Sequence, residues 1–121
     1  VKLVVREPES DSLVMFLRGW PQQATSAVAD VELHRTVQRR PGHGAEMARA
    51  RSLLEALHLL SVDHDVLTTA RDLRPFELRA LDAIHVASAL SLGPYLGVMV
   101  GYDLRLLAAA DEAGLITAAP A

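Results

Sequence analysis

The sequence predicts an α/β fold, a sandwich of helices around a mostly parallel sheet. Three observations point there. Short apolar runs at Leu59 to Val62, Gly97 to Val100 and Leu115 to Ala119 alternate with longer stretches of helical spacing. That alternation is the pattern of parallel strands with helices on their faces. Leu78 to Leu92, LRALDAIHVASALSL, is apolar nearly all the way round, as a buried helix is. The clusters Pro41-Gly42-His43-Gly44 and Gly93-Pro94 then cut the chain into pieces of element length.

In chain order, Val1 to Arg6 reads as the end of a helix or strand, broken by Glu7-Pro8-Glu9-Ser10. Proline at the first helical position, with acids nearby, starts a helix from about Ser10 to Arg18 with Leu13, Phe16 and Leu17 inward. Gly19-Trp20-Pro21 ends it. Gln22 to Ala27 is a strand. A helix from about Val28 to Arg40 follows, its apolar side formed by Ala29, Leu33 and Val37. Ala45 to His58 is the second helix of a hairpin, with Ala50, Leu53, Leu54 and Leu57 inside. Leu59 to Val62 is a strand, and Asp63 or His64 starts a helix to about Leu73. Arg74-Pro75 interrupts before the central helix, which Gly93 caps and Pro94 stops. Gly97 to Val100 is a strand, Asp103 to Ala113 a helix ended by Gly114, and Leu115 to Ala119 the last strand. No internal repeat is present, and 121 residues fit one domain, residues 1–121.

Composition narrows the function. Half the residues are apolar and 22% are charged, which is globular. Net charge is -3, and 11 of the 12 basic residues are arginine, so a local basic patch for nucleic acid remains open. With no cysteine there is neither a disulfide nor a thiolate metal site. No apolar run approaches the roughly 18 residues that span a membrane. A soluble cytoplasmic protein is the expectation. The five histidines are scattered, and no phosphate-binding glycine loop or GxSxG serine elbow exists.

Three carboxylates stand among apolar neighbours. Asp82 shares a helix face with Leu78, His85, Val86 and Ala89. An unpaired charge there would be costly, so an arginine, a hydrogen-bond donor or a metal ion partners it. A structural salt bridge to Arg79 or Arg74 is the ordinary alternative. Asp103 follows a buried strand at the start of a helix. It is either an N-cap or a site residue beyond the carboxyl end of a strand, where open α/β sheets bind ligands. Glu32 follows another strand; its alternative is an exposed pair with Arg35. Asp30, on the same helix, points instead toward His34. Carboxylates without thiolates suit Mg²⁺ or Mn²⁺, whose chemistry on phosphate esters is hydrolysis by an activated water.

These residues also carry a resemblance. LRALDAIHVASAL, with Asp82, resembles the Leu-Asp-Ala-Ile-His segment of PIN-domain toxins of the VapC type. VGYDLRLLAAADEAGL resembles the next segment there, a strand ending in Thr-Tyr-Asp, then Arg-Leu, Ala-Ala and Gly-Leu. Ser26 with Val31-Glu32-Leu33 resembles the earlier Ser…Val-Glu-Leu segment. VKLVVREPES resembles the stretch just after the opening Asp-Thr-Ser-Ala of these toxins. The resemblance spans the chain in order.

It implies a three-layer α/β/α domain and a Mg²⁺- or Mn²⁺-dependent endoribonuclease, the toxin of a type II toxin–antitoxin pair. It implies a metal-binding acidic quartet whose second, third and fourth members are Glu32, Asp82 and Asp103. The first acid and the first strand are expected upstream of Val1. Gly101 stands where the family usually has Thr or Ser. A cognate VapB-type antitoxin, an RNA substrate such as transfer or ribosomal RNA, and a homodimer are the implied partners. Apart from the resemblance, the arginines near Glu32 (Arg35, Arg39 and Arg40) either hold RNA phosphates or form an ordinary solvated helix face. The rival expectation is a degenerate, non-catalytic PIN fold that only binds a partner.

Overall fold

The computed structural model describes residues 1–121. The chain forms two compact units, Val1–Leu59 with Pro120–Ala121, and Leu60–Ala119.

In the first unit, Val1–Arg6 is a helical turn, closed by the Val4 and Val5 amides on the Val1 carbonyl at 2.9 and 2.8 Å. Buried Ser10 ties this turn to the following helix. Its hydroxyl donates to the Lys2 carbonyl at 2.7 Å and accepts from the Glu7 amide at 2.8 Å. Helix α1, Ser10–Arg18, has the predicted bounds. Pro8, however, lies ahead of the N-cap Glu9 and not at the first helical position. Strand β1, Ala24–Ser26, leads into α2, Val28–Gln38, and the glycine-proline turn returns the chain as α3, Gly44–Ala56. Helices α2 and α3 pack together. Val4, Val5, Leu33, Val37, Met47, Ala50 and Leu54 form the buried cluster. Strand β2, His58–Leu60, pairs with β1.

The second unit packs α4, His64–Asp72, on α5, Ala80–Ser91, and α5 on α6, Leu104–Glu112. Asp63 caps α4 by accepting the Val66 amide at 2.9 Å. This core is made of small residues: Ala83, Ala87, Ala89, Ala109 and Ala110 are buried beside Val66 and Val86. Small side chains let helix backbones approach closely. Strands β3, Met99–Val100, and β4, Thr117–Ala118, pair in parallel, Met99 opposite Thr117 and Val100 opposite Ala118. The parallel pairing and the helix–strand alternation are as predicted.

Two details differ from expectation. The strands form two ribbons, β1–β2 and β3–β4, where the sequence suggests one central sheet. Each strand has only two or three residues, and so short a run does not specify its neighbours. The first turn of α5 is more open than its apolar pattern suggests, with Leu81 47% exposed, whereas the four consecutive residues Val86, Ala87, Ser88 and Ala89 are buried, as expected of a helix covered nearly all round.

Candidate active site

Helix α5 begins at Ala80, with Arg79 as its extended N-cap, so Asp82 is the third residue of the helix. The apolar pattern puts it a full turn inside a helix starting at Leu78. The first turn is a better place for a carboxylate: its amides lack intrahelical acceptors and the positive end of the helix dipole faces it. Asp82 is half-buried.

Asp103 lies three residues beyond β3, at the N-cap of α6. Its Oδ1 accepts both the Arg105 amide at 2.9 Å and the Leu106 amide at 3.3 Å. The capping role is therefore real. It uses a single oxygen and leaves Oδ2 outside the cap.

Asp82 and Asp103 line one cleft of about 410 Å³, together with Glu77, Leu78, Arg79, Leu104 and Arg105. The lining mixes acids with arginines. Ionised carboxylates here repel one another, and cations, from the protein or from solution, relieve that repulsion. Oxygen is the only ligand type offered by the side chains that line the cleft, since neither histidine nor cysteine is among them. No close cluster of three Asp, Glu or His side chains forms. Two carboxylates still suit Mg²⁺, which keeps several waters and takes phosphate oxygens as further ligands.

Glu32 belongs to the first unit, on α2, half-buried between exposed Val31 and buried Leu33. Asp30 pairs with His34 at 2.8 Å, on the polar side predicted for it. Arg40 is bound by Glu46 at 2.6 Å, so its charge is already matched; Arg35 and Arg39 are exposed. At Gly101 a Cβ would meet the Leu107 and Leu106 methyls at 3.6 and 3.7 Å, ordinary contact, so the position accepts a Cβ.

Sequence reasoning missed Glu77 and Arg105, and took Arg79 only as a salt-bridge partner. The signal lay in the caps. Arg105 follows its capping aspartate by two residues, and Arg79 is itself the N-cap of the helix that holds Asp82.

The PIN domain family model matches residues 1–94. "Ribonuclease VapC46" of Mycobacterium tuberculosis (strain ATCC 25618 / H37Rv) is 47% identical over 120 residues, 99% of this chain and 91% of that protein. "Ribonuclease VapC47" of Mycobacterium tuberculosis (strain CDC 1551 / Oshkosh) is 40% identical over 123 residues, 98% of this chain and 90% of that protein. "Ribonuclease VapC35" of the same strain is 36% identical over 124 residues, with 99% and 90% coverage. No solved structure matches the chain.

Proposed function

The chain belongs to the PIN-domain family, beside VapC ribonucleases, and on that premise we propose that it is a ribonuclease toxin hydrolysing RNA phosphodiesters at the Asp82–Asp103 cleft. The observation that supports this reading most is the shared cleft: two carboxylates at helix N-termini, with Arg79 and Arg105 beside them. Asp82 and Asp103 Oδ2 are the oxygens proposed to hold Mg²⁺ or Mn²⁺; Glu32, in the first unit, is a proposed ligand on the family resemblance alone. A bound divalent ion would supply Lewis-acid charge to the scissile phosphate and make a water more acidic. The chain's own residues do the rest. Arg79 and Arg105 hold phosphate oxygens, in keeping with the geometry of guanidinium forks. Asp82 orients the attacking water and accepts its proton.

In keeping with the VapC relatives, the proposal includes a cognate VapB-type antitoxin, a homodimer and a cytoplasmic site of action. No helix is long and apolar enough to cross a membrane. The test is incubation of the full-length protein with transfer and ribosomal RNA, with Mg²⁺ and with EDTA. Cleavage that stops on chelation and returns with added Mg²⁺ supports the reading; cleavage indifferent to EDTA overturns the metal role, and no cleavage of either RNA overturns the choice of substrates.

A further inference from the structure

Glu77, Leu78 and Arg79 line the Asp82–Asp103 cleft, and Phe76 stands directly before them. Consecutive Cα atoms are about 3.8 Å apart, so the Phe76 backbone adjoins the residues that line the cleft. The residue is 66% exposed. An isolated exposed apolar side chain is common on protein surfaces. This one differs because it has a planar partner: the Arg74 guanidinium lies over the ring, 5.1 Å from its centroid. The remaining exposure leaves ring area for a second flat group. Unstacked nucleobases are the flat groups that proteins hold on aromatic faces and arginine planes.

Building on the ribonuclease reading, we propose that Phe76, backed by Arg74, is a nucleobase-stacking platform that positions single-stranded RNA at the cleft. One base lies on the ring while the adjoining phosphate reaches Arg79 and Arg105. A duplex keeps its bases stacked inside the helix and cannot use the platform, so unpaired segments are preferred. The larger purine ring covers more of the platform than a pyrimidine does. Phe76 is thus a positioning residue for the substrate and takes no part in bond cleavage.

The test uses the full-length protein with Asp82→Asn, to prevent turnover, and a fluorescein-labelled oligoadenylate. Phe76→Ala weakens binding roughly 5- to 150-fold, the range of one base–aromatic stack. Phe76→Trp restores it, and its indole emission falls as adenine stacks. An abasic oligomer of the same length binds the parent and Phe76→Ala equally. Equal affinity of both for oligoadenylate, or the same loss with the abasic oligomer, overturns the platform, as does a parent that binds neither oligomer. Failure of the ribonuclease reading is seen separately, as a wild-type protein that does not cut RNA with Mg²⁺. Failure of the platform alone leaves metal-dependent cutting intact while Phe76→Ala binds like its parent.

Discussion

Asp103 divides its two oxygens between structure and chemistry. Oδ1 satisfies two amides at the start of α6, and Oδ2 is the oxygen proposed to serve the cleft. Substitution separates the roles. Asparagine is as good an N-cap as aspartate, whereas alanine in its place costs about 1 kcal/mol of stability. Asp103→Asn is therefore expected to unfold at the wild-type urea midpoint and to lose RNA cleavage. Asp103→Ala is expected to lose both. Wild-type cleavage by folded Asp103→Asn would show that the residue is a cap and nothing more.

At the scale of elements, helix ends carry the proposed site and also contribute stability. Gly114 ends α6 with φ +92. Its amide reaches the Asp111 carbonyl and the Leu115 amide reaches the Ala110 carbonyl, both at 3.0 Å, the two bonds of a Schellman cap. A side chain is strained in that conformation, so Gly114→Ala is expected to destabilise by about 1–2 kcal/mol; an unchanged denaturation midpoint would contradict the cap. At the other end of the chain, the start of α1 is held by ions. Arg6 donates to both oxygens of Asp11, at 3.0 and 2.7 Å, and holds its carboxyl below the usual aspartate range. The hydrogen bond from Lys2 does the same for Glu9. A depressed folded pKa means the stabilisation is complete above the ordinary carboxylate value and is lost as pH falls through the lowered one. Carboxyl titration by NMR is expected to give an Asp11 midpoint below that of an ordinary exposed aspartate. High salt should move it back, because this pair is exposed. A midpoint at the ordinary value in low salt would remove the pair from the account.

At the scale of the whole molecule, the sequence was most legible where local chemistry decides. Ser10–Arg18 emerged with its bounds intact because a proline-acid break precedes it and Gly19-Trp20-Pro21 comes after it. Asp63, Gly93 and Gly114 marked helix ends for the same reason. The strand pairing was not legible, since two-residue strands such as Met99–Val100 carry too little pattern to choose a partner. The exposure of Leu81 was hidden too, because apolar periodicity does not say which neighbours a helix has. Of the proposed site, Asp82 and Asp103 were both readable and both line the cleft, while Glu77 and Arg105 look like surface charges until the turn before α5 and the start of α6 are placed. A net charge of -3 gives RNA no general attraction; the proposed binding rests on local arginines and on the Phe76 ring, and its arginine share is expected to weaken with salt. The central claim is that the Asp82 carboxylate is essential to RNA hydrolysis in that cleft. Its most direct test is the single-turnover cleavage rate of wild type and Asp82→Asn in Mg²⁺, with both proteins shown to be folded by their melting curves. The account predicts cleavage by wild type and a loss of at least about 100-fold in the variant, the scale of a removed general base. Equal rates would contradict it and make Asp82 a structural residue.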